Sequence, residues 1–172
     1  MLLLQVEYIR LEARPKIPRI IDVFRPHERN NVTGTVFFVA ATIIVFSAFD
    51  YSIALLALLL TVFGDLVSAL IGIKWGKHKL FKKKTAEGFF AGLFINILVG
   101  FLVLPTYPLV FLTMALVASF VELITNKLDD NLTVPLFAGF AGQVIIMLFG
   151  ITITAFPGPL DPLFILLPFW NF

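Results

Sequence analysis

The sequence predicts an all-α fold, a polytopic membrane helix bundle of about five transmembrane helices with a basic N-terminal surface helix. Three observations carry that reading. Of 172 residues, 59% are hydrophobic and 14% charged, where an ordinary soluble domain carries about 25% charged residues. The mean hydropathy of +0.98 describes more apolar surface than a soluble fold could hide. The apolar residues also fall in runs of spanning length, separated by charged or proline-bearing breaks.

A spanning helix needs about 20 predominantly apolar residues. Ser52 to Ile73, Ala86 to Leu104, Tyr107 to Ile124 and Thr133 to Ile153 meet that length, and a shorter run, Val32 to Phe49, completes five. The breaks fall at Asp50, at the lysine run, at the Pro105/Pro108 turn and at the polar stretch Asn126 to Asn131, where helices are expected to end. The chain thus divides into a basic amphipathic segment (1–31), a transmembrane bundle (32–153) and an interfacial tail (154–172). The first segment is no signal peptide, because its apolar run is only Leu2 to Leu4 before charges follow. It reads as a basic helix lying on the membrane surface. The tail, with Pro157, Pro159, Pro162, Pro168 and then Trp170, reads as an interfacial segment with an aromatic anchor.

Charge orients the bundle. Of the 13 basic residues, Arg10, Arg14, Lys16, Arg19, Arg25 and Arg29 precede the first run, six lie in Lys74 to Lys84, and Lys127 follows the fourth. Threading five spans puts all of them on one side, a strong positive-inside pattern. The expected location is therefore a multi-pass protein of the cell membrane, or of the endoplasmic reticulum in a eukaryote, with its N-terminus and any active site facing the cytoplasm. A pI near 9.0 fits lysine-rich loops beside anionic lipid, and no nucleic-acid partner is expected. With no cysteine, disulfides and zinc-thiolate sites are excluded.

An ionisable group inside a span costs a few kcal/mol and is a functional candidate. Asp65 stands out: it precedes Lys74 by nine residues, roughly 13 Å inside the boundary. Gly64, Asp65, Ser68, Ala69, Gly72 and Gly76 give its helix one small, polar face. The other runs repeat the theme at the same depth: Gly88, Gly92, Asn96 and Gly100 on the third, Ser119, Glu122 and Asn126 on the fourth, and Gly139 and Gln143 on the fifth. Small-residue stripes by themselves let helices pack closely. The acids add chemistry: Asp65, Glu87, Glu122, Asp129 and Asp130 collect near the lysines, while Asp50 and Asp161 lie on the other side. Carboxylates and lysines at one boundary suit a magnesium-nucleotide site.

Within the lysine run, Lys79, Lys82 and Lys83 suffice as topology signals, whereas Lys77 follows Gly76 and Lys84 precedes Thr85 beside helix ends, where backbone amides also attract anions. The run is no P-loop, since GxxxxGK[ST] and a preceding strand are both lacking. His27 and His78 are too isolated for metal ligands and suit solvated or phosphate-facing roles.

The segment GDLVSALIGIKWGKHKLFKKKTAEGFFAG, opened by Gly64-Asp65, resembles the GD..A...G..fGk......KS.eGs pattern of CTP-dependent lipid kinases, the dolichol, phytol and diacylglycerol kinases. EYIRL (Glu7 to Leu11), RPHERNNVTG (Arg25 to Gly34) and LDDNLTVPL (Leu128 to Leu136) agree with that family in order. The resemblance implies transfer of the CTP γ-phosphate to the hydroxyl of a membrane lipid alcohol, polyprenol- or dolichol-like, phytol-like or diacylglycerol, with Mg2+ as cofactor and CTP as co-substrate. The site it implies has Asp65, Asp130 and Glu87 as catalytic groups, and Asp65, Asp129 and Asp130 on the metal. Arg25, Glu28, Lys77, Lys84, Thr85, Gly88 and Asn131 then bind nucleotide and phosphate.

Lys84-Thr85-Ala86-Glu87-Gly88 is also similar to the KT.EG motif of phosphatidate cytidylyltransferases, which make a CDP-lipid. That family's PGHGG.LDR signature is replaced here by DDNLTVPL followed by AGFAGQ, which favours the kinase. The kinase family carries further spans and an R-K..H segment upstream of the EYIRL-like stretch, which here starts six residues after Met1. A late start, a minimal version or an inactive remnant would each give that arrangement, so a non-enzymatic membrane or assembly subunit is the third expectation. A homo-oligomer is left open.

Overall fold

The computed structural model describes residues 33–81, 84–125 and 129–153. Five helices account for most of them: α1 (Gly34–Ala48), α2 (Tyr51–Trp75), α3 (Ala86–Val103), α4 (Pro108–Ile124) and α5 (Asp130–Phe149). Between α2 and α3 the chain forms an antiparallel hairpin, β1 (Lys79–Phe81) with β2 (Lys84–Thr85), pairing Lys79 with Thr85 and Phe81 with Lys84. The fold is the expected all-α bundle. The expected basic surface helix and the interfacial tail lie outside the described residues.

By length and composition α2, α3 and α5 are able to cross a membrane, while α1 and α4 are shorter apolar helices. At 25 residues α2 is about 37 Å long, and α1 at 15 residues about 22 Å. Four of the five expected runs match their helices to within two residues at each end. The fifth is displaced: the expected Thr133 to Ile153 is a helix over Asp130–Phe149. Its start moves forward because Asp129 caps it, its Oδ1 accepting from the Asn131 amide at 3.0 Å. Its end moves back because Gly150 adopts φ 60°, the left-handed geometry that stops a helix. Pro135 therefore sits inside the helix, where its ring removes the bond that would run to the Asn131 carbonyl.

Burial explains why each helix is apolar nearly all round. On α3, Gly88, Gly92, Asn96 and Gly100 face inward, while Phe94 is 70% exposed. The large apolar side chains point outward and the small ones inward, the pattern of a bundle bathed in lipid rather than water. The α2/α3 approach depends on it: a Cβ added at Gly88 would lie 2.7 Å from the Ser68 carbonyl oxygen and 3.3 Å from Gly72 Cα. The small-residue stripes thus have the packing role that their spacing suggests.

Helix α2 is the centre of the bundle and packs against the other four. Its first half carries the core, with Ile53, Leu56 and Leu60 fully buried against Leu104, Val110 and Met114. Its second half opens: Leu66, Leu70 and Ile73 are exposed. The expected grouping of Gln143 with the other polar residues at one depth does not hold. Gln143 Nε2 donates to Asp50 Oδ2 at 2.8 Å and its Oε1 accepts from the Asp50 amide at 3.0 Å. It lies 13 residues beyond Asp130, about 20 Å along the axis, and so reaches the opposite end.

Candidate functional site

At the end of the bundle where α2 opens, five elements converge: α2, the hairpin, the start of α3, the end of α4 and the start of α5. Glu122, in the last turn of α4, is buried. Its Oε1 accepts a 2.5 Å hydrogen bond from Ser68 Oγ of α2. Lys84 reaches in from β2 and donates to the Glu122 backbone carbonyl. Its ammonium lies 3.6 Å from Glu122 Oε1 and 4.0 Å from Asp130 Oδ2. A buried carboxylate and a half-buried ammonium are thus held together, as desolvated charges must be.

The hairpin is what delivers Lys84. Ala86 donates its amide to the His78 carbonyl at 2.8 Å, and Thr85 caps α3 by accepting from the Gly88 amide at 3.3 Å. Glu87 sits at the base of the same hairpin. Its carboxylate lies 2.7 Å from His78 Nδ1 and accepts from the His78 amide at 3.2 Å. A lysine on this short return strand is pointed back into the bundle, whereas Lys77 and Lys79 stay exposed.

These groups surround a cleft of about 220 Å³. Asp65, Ser68, Lys84, Thr85, Ser119 and Glu122 supply its polar lining, Gly72 and Gly88 make room for it, and Ile73, Phe89 and Leu123 line its apolar part. Below it, Asn96 Nδ2 donates to Ser119 Oγ at 3.0 Å, extending the polar chain into the bundle. Asn96 is fully buried, and among the described residues its Oδ1 has no hydrogen-bond partner.

Of the residues expected from sequence, Asp65, Lys84, Thr85 and Gly88 line the cleft, and Asp130 faces it through Lys84. Glu87 is bound to His78 instead, Lys77 stands outside, and Asn131 lies with Asp65 on a neighbouring cleft. Arg25 and Glu28 fall outside the described residues. Asp129 spends Oδ1 on Asn131, accepting from both its amide and its Nδ2. Glu122 and Ser68 were noticed in the sequence, as an acid near the lysines and as part of a polar helix face, but were given no place among the expected site residues. The signal for Glu122 was present, an ionisable group in an apolar run, but its partners come from other helices.

Among the described residues, no group of three or more His, Cys, Asp or Glu side chains is gathered so as to hold a metal by itself. The cleft still fits magnesium arriving with a nucleotide, because that ion takes one or two carboxylates and completes its shell with phosphate and water oxygens. Asp65, which lines the cleft, and Asp130, 4.0 Å from the Lys84 ammonium, are carboxylates of that kind. Compared with family models, curated proteins and solved structures, the chain finds no match in any of the three.

Proposed function

We propose that this chain is a five-span membrane phosphotransferase that carries the γ-phosphate of CTP to the hydroxyl of a membrane lipid alcohol, with its cleft at the cytoplasmic face. The observation that carries the reading is Lys84, set among Glu122, Asp130 and Ser68 in a cleft at one end of an apolar bundle. The resemblance of the GD, KT.EG and DDNL segments to CTP-dependent lipid kinases supports it, and all three segments contribute residues around this cleft. The one-sided distribution of the 13 basic residues supports the orientation.

Phosphoryl transfer asks little covalent chemistry of a protein and much positioning and charge neutralisation. Lys84 is anchored by the Glu122 carbonyl and carboxylate, so its ammonium is held in place before substrate arrives. Glu122 acts as the positioning residue, and Ser68 fixes the carboxylate that holds the lysine. Thr85 and Gly88 present the N-terminus of α3 to the cleft, where backbone amides favour an anion. Bound magnesium supplies neutralisation of the phosphate charge, with Asp65 and Asp130 as the residues that would hold it. Water is excluded on the apolar side by Ile73, Phe89 and Leu123.

The test is incubation of the purified full chain with γ-labelled CTP, Mg2+ and a panel of polyprenol, phytol and diacylglycerol. Label recovered in lipid upholds the kinase reading. A CDP-lipid with released pyrophosphate replaces it with cytidylyltransferase chemistry. Neither product, with an active lipid kinase as control, leaves a non-enzymatic subunit.

A further inference from the structure

A second cleft, of about 450 Å³, lies between α1, α2 and α5. Phe38, Val62 and Leu66 form its apolar walls, and Thr35, Asn131 and Asp65 its polar end. Residues 61–66 of α2 line this cleft and residues 65–73 line the first, so the two linings share Asp65. The second cleft differs from the first in chemistry. Among the described residues its lining holds no lysine, and two of its walls, Val62 and Leu66, are 46% and 52% exposed, on the outer surface that the bundle presents to lipid. Its polar end lies where α1 and α5 begin, at Gly34 and Asn131, so a ligand here has its apolar part beside the helices and its polar group at their ends.

We infer that this second cleft is the acceptor site, taking a lipid alcohol with its chain along Phe38, Val62 and Leu66 and its hydroxyl at Asp65, while the nucleotide occupies the first cleft. The inference rests on the phosphotransferase reading for its chemistry, and on the shared Asp65 for its place. With one substrate in each cleft, the acceptor oxygen and the γ-phosphorus meet at the same side chain. The O–P bond forms between them, the bridging bond to the β-phosphate breaks with CDP leaving, and the hydroxyl proton is released to water. Asn131 is held at the mouth by Asp129, whose Oδ1 accepts from both its amide and its Nδ2.

Photolabelling tests this without requiring turnover. The full chain in phosphatidylcholine vesicles is irradiated with a long-chain prenol, and in parallel a diacylglycerol, each carrying a diazirine next to its hydroxyl, and the labelled residues are mapped by mass spectrometry. Label from at least one probe is expected on Phe38, Val62 or Leu66, competed by the unmodified alcohol. Val62→Trp, at a half-exposed position that admits the ring, should lower it at least tenfold, while Leu98→Trp on the exposed face of α3 leaves it unchanged. Label confined to the first cleft, spread evenly over outward residues such as Phe94 and Phe140, or indifferent to Val62→Trp overturns the proposal. Competed label in the second cleft without any phosphate transfer from CTP upholds the lipid-alcohol site and removes only the kinase reading.

Discussion

The two ends of this bundle both carry polar contacts between helices, and they are built on opposite plans. At one end Asp50 and Gln143 satisfy each other through two hydrogen bonds, joining the α1/α2 junction to α5. At the other, Lys84 is shared between two carboxylates, Ser68 supports one of them, and a 220 Å³ cleft remains beside the group. The first arrangement is closed and holds helices together. The second gathers several charged groups and leaves space next to them, which is what a ligand site requires. Polar residues in an apolar bundle therefore announce either a clamp or a site, and the partner geometry decides which.

Substitutions can break that contrast in order of size. Asp65→Asn keeps the shape of the side chain and removes its charge at the junction of the two clefts. Turnover in the labelled-CTP assay should fall at least roughly 10²–10³-fold, the range for losing one group that stabilises transition-state charge, with membrane insertion unchanged. Wild-type rates in Asp65→Asn and Asp130→Asn together would remove the carboxylates from the proposed chemistry. Lys84→Ala takes away the positioned cation, and a loss of about 10²–10³-fold is expected. Lys84→Arg should recover only part of it, because a planar fork does not fit the pocket of a compact ammonium.

Smaller effects separate packing from function. Gly88→Ala drives a methyl group to 2.7 Å from the Ser68 carbonyl, so α2 and α3 must part. A stability loss of about 1–3 kcal/mol is expected, measurable as a lowered unfolding midpoint in detergent, together with reduced turnover. At the closed end, Gln143→Leu should cost only about 0.6–1 kcal/mol, the usual scale of an interhelical hydrogen bond in a membrane, and leave turnover untouched. A large loss of activity in Gln143→Leu would mean the two ends are coupled.

Much of the architecture was legible in the chain. Apolar runs and their breaks located α1 to α4 within two residues at each end, because helix formation in an apolar environment is a local matter of satisfying backbone hydrogen bonds. The stripe Gly88, Gly92, Asn96, Gly100 marked the inward face of α3, because small residues let helices approach closely. What local reading could not supply were the partners. Ser68 and Glu122 are 54 positions apart and Asp50 and Gln143 are 93 apart. The hairpin was likewise hidden in a lysine run whose composition suits an exposed loop.

Composition and spacing by themselves determined the class of protein, the helices and the crowding of charge near one set of helix ends. Only the tertiary structure decided that Lys84 rather than Lys77 enters the bundle, that Glu87 turns to His78, that Glu122 holds the lysine, and that Asp65 serves two clefts. The physical reason is a difference in range. A run of apolar residues specifies a helix wherever it is placed, whereas the partner of a carboxylate depends on the rotation and stagger of neighbouring helices, where one residue turns a side chain by about 100°.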